Sequence, residues 1–264
     1  MHGRLFSSLL LLPAMLASAN TPDCEIKSQT HRVALLELYT SEGCSSCPPA
    51  DKWLSNLRDK GVTADKLVPL SLHVDYWNYI GWRDPYSSSQ YTARQREVAR
   101  RNRLSSIYTP QMVLNGQDFR AWHRQDIRRK LEDINTLPAA AKFVMSWSEQ
   151  RSDDNSSLSI KVNARLASSQ AASSQLIVNL AVFENRLSSQ VNAGENDGRK
   201  LEHDYVVRRL FKYPFADKHD IFIRQLSLPM DKDWNRDHLG LALFVQDSES
   251  GEILQAMAHA IDCK

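Results

Sequence analysis

Residues 33–51 read VALLELYTSEGCSSCPPAD, and their pattern decides the fold expected for the chain. Val33 to Tyr39 is a short apolar run holding one acid, the signature of a buried strand. Thr40-Ser41-Glu42-Gly43 is a turn. Cys44 to Asp51 opens a helix, where Pro48 and Pro49 are tolerated because first-turn amides have no intrahelical partner. Ala50, Trp53, Leu54 and Leu57 then share one helical face, and Gly61 ends the element. Cys44 and Cys47 thus stand at C-x-x-C spacing between a strand and a helix. Such a pair closes a small disulfide ring and reopens by thiol exchange. At a helix N-terminus the exposed amides favour a thiolate on Cys44, the attacking form, and Cys47 is placed to resolve a mixed disulfide.

Working outward, Leu67 to Val74 reads as a second strand and Asp75 to Pro85 (DYWNYIGWRDP) as an aromatic loop. Tyr91 to Leu104 reads as a helix carrying Arg94, Arg96, Arg100, Arg101 and Arg103. Gln111 to Leu114 and Gln117 to Ala121 flank Asn115-Gly116, a strong hairpin signal. Ile127, Leu131 and Ile134 follow at helical spacing. Strands alternating with helices predict an α/β domain over residues 20–138. Beyond Pro138 the pattern changes to alternating apolar segments between polar turns. Strands are expected near Phe143 to Trp147, Leu158 to Leu166, Leu176 to Phe183, Tyr205 to Leu210, Ile221 to Leu228, Leu239 to Val245 and Ile253 to Ile261. They predict an all-β, sandwich-like domain over residues 139–264. Asn192 to Lys200 (NAGENDGRK) reads as a polar loop.

The chain has 264 residues, 42% hydrophobic and 24% charged, which is ordinary for a soluble globular protein. Its first 19 residues read as a cleaved signal peptide: Arg4, an apolar run from Leu5 to Leu16, then Ala17-Ser18-Ala19. Pro13 and the early charged residues weigh against a retained anchor. Export places the protein in the periplasm or outside the cell, with no stable membrane span after cleavage. A formal net charge of +2 excludes the strongly basic balance of nucleic-acid binders. Cys24, Cys44, Cys47 and Cys263 allow three pairings, and an oxidising compartment preserves disulfides. The simplest pairing joins Cys44 to Cys47 locally and Cys24 to Cys263 as a structural clasp of the termini.

Other residues each admit a plainer role. His73 and Asp75 end the second strand, near the start of the cysteine helix, and are candidates for substrate contact. Otherwise they are a strand residue and a loop cap. Tyr76, Trp77, Trp82 and Tyr86 form either a peptide-binding wall or the cover of a sheet edge. The five arginines from Arg94 to Arg103 form either a site for an acidic partner or anionic lipid or, more simply, a solvated helix face. His203, Asp204, Arg208 and Arg209 read as the outward face of a strand. Asn155-Ser156-Ser157 matches a glycosylation acceptor, here a chance match. One C-x-x-C falls short of the four ligands of a closed zinc site, so no metal is expected. Copper(I) or zinc held by Cys44 and Cys47, with His73 and Asp75 as further candidate ligands, is the alternative.

Leu38 to Cys47 resembles the strand and active-site turn of thioredoxins and glutaredoxins, and Tyr108-Thr109-Pro110-Gln111 resembles their cis-proline loop. By that resemblance Thr109-Pro110 is a cis peptide packed against the disulfide, Tyr108 and Thr109 line the substrate path, and Glu37 moves protons to and from Cys47, the alternative for Glu37 being a sheet-edge carboxylate in water. Ser45-Ser46 between the cysteines departs from the thioredoxin pattern and leaves the redox direction open. LELYTSEGCSSCPPAD, LHVDYWNYIGWRDPYS, YTPQMVLNG and GENDGRKLEHDYVVRR together resemble an exported family, domain of unknown function 1223, thioredoxin-like in its first part. The expectation is an exported thiol–disulfide oxidoreductase with no cofactor beyond its own disulfide. It would act on a cysteine-containing protein or peptide, with an unidentified redox partner. The alternatives are a binding module with a structural disulfide and a copper chaperone.

Overall fold

The computed structural model describes residues 24–151, 156–167, 175–215 and 221–263. The expected signal peptide and Asn155 lie outside them. The chain begins with β1 (Cys24–Lys27), β2 (Ala34–Thr40), α1 (Pro48–Ser55), β3 (Leu67–His73), α2 (Ser89–Arg101), β4 (Gln111–Leu114), β5 (Gln117–Asp118) and α3 (Ile127–Asn135). It continues in strands, with short 3-10 turns at Gly194–Asn196 and Arg236–His238: β6 (Ala141–Arg151), β7 (Ser156–Leu166), β8 (Leu176–Glu184), β9 (Leu187–Gln190), β10 (Lys200–His203), β11 (Val206–Pro214), β12 (Ile221–Pro229), β13 (Leu239–Asp247) and β14 (Ile253–Ala260).

These strands do not build an α/β thioredoxin-like domain followed by a separate sandwich, and that expectation is corrected. Strand makes up 44% of the structure and helix 17%. An eight-stranded mixed sheet runs β14-β13-β8-β11-β3-β2-β4-β5, taking strands from both halves of the chain. β2 and β3 are parallel, from Ala34 opposite Leu67 to Thr40 opposite His73. The halves meet where β11 lies beside β3, at Val206 opposite Ser71. A four-stranded antiparallel sheet, β1-β6-β7-β12, and a hairpin, β9-β10, complete the strand pairing among the described residues. The reason for the miss is physical. Apolar pattern tells that a strand is buried, and β8 and β13 are buried on both faces. It does not tell which strand lies beside it.

Three apolar clusters hold the layers together. Phe143, Trp147, Ile160 and Val162 of the four-stranded sheet pack against Leu180, Val182, Leu241 and Leu243 of the large one. α2 brings Tyr91 and Val98 to Tyr39, Val68, Leu70 and Leu72. α1, the turn after it and α3 bring Leu54, Leu57, Ile127 and Leu131 to Leu36, Leu38 and Met112. β2 is buried along its whole length, as a central strand must be, and its carboxyl end delivers the cysteine turn to the middle of the molecule. Cys24 and Cys263 are joined by a disulfide that ties β1 to the segment after β14. Among the described residues no helix is long and apolar enough to cross a membrane.

Candidate functional site

The cysteine turn is built by its own backbone. The Cys44 amide donates to the Ser41 carbonyl and the Cys47 amide to the Cys44 carbonyl, both at 3.1 Å. Cys47 caps α1, and the prolines that follow occupy its first positions. Cys44 and Cys47 form a disulfide with their Cα atoms 5.4 Å apart. Gly43 is required by crowding: a Cβ there would lie 3.0 Å from Cβ of Trp77 and 3.3 Å from Cδ1 of Ile80. The Trp77 indole N–H donates to Oγ1 of Thr109 at 2.8 Å, and the Thr109-Pro110 peptide is cis. Trp77 thus connects the cysteine turn to the Pro110 loop.

Both half-cystines are buried, Cys44 at 1% exposure and Cys47 at 0%. Their cover comes from the loop between β9 and β10. Nδ2 of Asn196 donates to the carbonyls of Glu42 at 2.8 Å and Cys44 at 3.0 Å, and the Ser45 amide donates to Oε2 of Glu195 at 2.9 Å. Those bonds from Ser45 hold the Glu195 carboxyl below its ordinary range. Ser189 of β9 anchors the same hairpin to Tyr86.

Beneath the turn lies a buried polar cluster. The Glu42 carboxylate accepts from the Trp82 indole N–H at 2.8 Å and lies 3.3 Å from Nε2 of His203. The Glu42 amide donates to Oδ2 of Asp84, which stands 2.7 Å from Nδ1 of His73. Asp51, on the first turn of α1, accepts from Thr40 Oγ1 at 3.1 Å through Oδ2, while its Oδ1 is 3.8 Å from Nδ1 of His203. The two imidazole rings meet edge to face, with centroids 4.9 Å apart. Burial pulls the His203 imidazole down, but Asp51 and Glu42 outweigh it and push it up to about 10. Burial raises the Asp84 carboxyl, yet His73 and the amides of Glu42 and Tyr86 bring it below its ordinary range.

The residues singled out in the sequence divide between this site and other places. Cys44, Cys47, His73, Trp77, Trp82 and Thr109 belong to the connected network just described. Asp75 does not join His73 in it: its Oδ1 accepts from Thr92 of α2 at 2.5 Å. Tyr108 donates from its hydroxyl to Asp118 at 2.7 Å. Glu37 forms a buried ion pair with Arg94, whose Nε donates to it at 2.5 Å and whose Nη2 also reaches Gln246. Arg94 is therefore not on a solvated face. His203, expected to face outward, is 3% exposed and points to α1. A signal for it existed: β10 alternates, and the apolar Leu201 two residues earlier marks the inward face. Glu42, Asp51 and Asp84 carried no such signal, because turn and helix-start positions are usually wet.

The family described as protein of unknown function (DUF1223) matches residues 35–246. No curated protein matches the chain. Two solved structures are similar to it. A crystal structure of protein AGR_C_4864 from Agrobacterium tumefaciens is 25% identical, covers 90% of this chain and 98% of its own, and superposes with a TM-score of 0.56. HBP35 of Porphyromonas gingivalis is 12% identical, covers 89% of this chain and 77% of its own, with a TM-score of 0.62, a likeness of fold alone.

Proposed function

Since the chain belongs to DUF1223, a family whose description gives no activity, its function must come from the site, and we propose thiol–disulfide exchange at Cys44–Cys47 in an exported protein. The observation that carries this reading is the disulfide at the start of α1, held in a turn with Cys47 as the cap. Helix-end amides stabilise a thiolate released there.

In the oxidising direction a substrate thiolate attacks Sγ of Cys44. The Cys44–Cys47 bond breaks, Cys47 leaves as a thiolate and takes up a proton, and a mixed disulfide with Cys44 remains. A second substrate thiolate attacks the substrate sulfur and releases Cys44. The substrate loses two electrons and the protein gains them. A redox partner then reoxidises the pair. In the reducing direction Cys44 attacks and Cys47 resolves. Pro110 and the aromatic loop bound the approach, and the substrate is a cysteine-containing protein or peptide.

Burial of both sulfurs means that Glu195 and Asn196 must lift before a substrate sulfur reaches Cys44. The same burial favours a second reading, a binding module whose Cys44–Cys47 bond is structural. Trapping separates them. Cys47→Ala should accumulate mixed disulfides through Cys44, and Cys44→Ala should abolish exchange. A Cys47→Ala protein whose Cys44 is alkylated freely but traps no thiol partner sinks the exchange reading.

A further inference from the structure

Asp51, His73 and His203 come from three separate elements, the first turn of α1, the end of β3 and the end of β10. One donor atom of each lies within 4.8 Å of the other two, and all three residues are buried, at 5%, 0% and 3% exposure. Their remaining atoms are already committed. Nδ1 of His73 lies 2.7 Å from Asp84 and is engaged there, which leaves Nε2. Nε2 of His203 faces Glu42, so a metal would bind at Nδ1, displacing the proton that points toward Oδ1 of Asp51. Thr40 holds Oδ2 of Asp51, leaving Oδ1. Nε2 of His73 is buried without a hydrogen-bond partner, and Nδ1 of His203 has nothing closer than Oδ1 of Asp51 at 3.8 Å.

Buried polar atoms without a close partner are costly, and two of them in one small cluster call for a ligand. We propose that Asp51, His73 and His203 bind a divalent first-row transition metal ion, zinc(II) foremost. Two imidazoles and one carboxylate are donors suited to zinc, copper, nickel or iron rather than to magnesium or calcium. Each imidazole is backed by a carboxylate, Asp84 behind His73 and Glu42 behind His203. That arrangement orients metal-bound histidines and raises their basicity. Three carboxylates around two imidazoles also leave negative charge that a dication offsets. Tetrahedral bonds of about 2.0–2.1 Å set donor atoms about 3.3 Å apart, so donors now within 4.8 Å of one another close by up to about 1.5 Å on loading. A cleft of about 500 Å³ between α1 and β10 is lined by Asp51 and His203, giving the ion a way in and leaving the fourth position to water or a ligand from the cleft.

This site uses neither cysteine, so it stands whether or not Cys44–Cys47 exchanges. The test is titration of chelator-treated, fully oxidised protein with cobalt(II), read by its visible absorption, followed by displacement with zinc(II). One cobalt(II) per chain, with the intensity of a four-coordinate site and displaced by one zinc(II), is expected. Asp84→Asn should weaken binding about 10- to 100-fold through His73 alone. The double variant His73→Gln, His203→Gln should abolish it. Because wild-type protein is measured first, the result does not hang on whether the double variant folds. Absence of saturable binding to the wild type, or unchanged binding in a folded double variant, overturns the assignment.

Discussion

Arg94 offers a sharp test of how the fold is held. It is 2% exposed on α2, and its guanidinium donates to both oxygens of Glu37, at 2.5 and 3.2 Å, and to Gln246 at 3.1 Å. It also lies over the Phe244 ring, 5.3 Å from its centroid. Glu37, 1% exposed, accepts further from the Tyr39 hydroxyl at 3.1 Å. The pair thereby pins α2 to β2 from one half of the chain and to β13 from the other. Arg94→Met keeps most of the side-chain volume but leaves a buried carboxylate with a tyrosine hydroxyl alone. Removing one partner of a buried pair costs about 3–5 kcal/mol, whereas replacing both with neutral groups is often close to neutral. Arg94→Met should therefore lower the urea midpoint by about 1–1.7 M at a slope near 3 kcal/mol per M. Arg94→Met with Glu37→Gln should recover most of that loss. Equilibrium unfolding with both disulfides intact is the assay. A single variant that loses under about 1 kcal/mol, or a double variant no better than the single, would refute the pairing as a buried, uncompensated charge.

Three further outcomes follow from the site and its surroundings. Asn196→Ala removes two hydrogen bonds from the cover of the disulfide; at about 1 kcal/mol each, opening becomes roughly 30-fold more favourable. Reduction of Cys44–Cys47 by dithiothreitol, followed by thiol alkylation on gels, should speed up accordingly, and an unchanged rate argues that the hairpin is not the gate. Gly43→Ala drives a methyl against Trp77 and should cost about 1–3 kcal/mol in thermal or urea unfolding; a neutral result means the aromatic loop gives way freely. Cys24→Ser with Cys263→Ser should cost about 2–5 kcal/mol while leaving the Cys44–Cys47 potential unchanged, and a shift in that potential would show that the clasp and the turn are coupled.

Much of the local structure was legible because each strand carries its own pattern. The pattern gives Gln111–Leu114 to the residue and places the strands from Phe143 onward with ends off by up to four residues. β1, β9 and β10, four residues each, were missed, since so short a stretch as LSSQ or KLEH barely samples an alternation. The assembly was not legible at all. Its decisive contact, β11 beside β3, rests on Val206 opposite Ser71, two residues far apart in sequence with nothing in either to announce the other. Arg94 illustrates a reading masked by charge: it sits at helical spacing between Tyr91 and Val98, within the buried stripe, and only its residue type argued for solvent. The cysteine turn was visible from spacing. The acid and imidazole cluster below it was not, because Glu42, Asp51, His73, Asp84 and His203 come together only through the sheet and the hairpin.

The reduction potential of the Cys44–Cys47 pair tests exchange chemistry most directly, by equilibrating the protein with glutathione buffers while Cys24–Cys263 is followed separately. Exchange predicts a potential between about −270 and −120 mV, the span of thioredoxin-type catalysts. A pair still oxidised below about −300 mV would contradict it and make the bond structural.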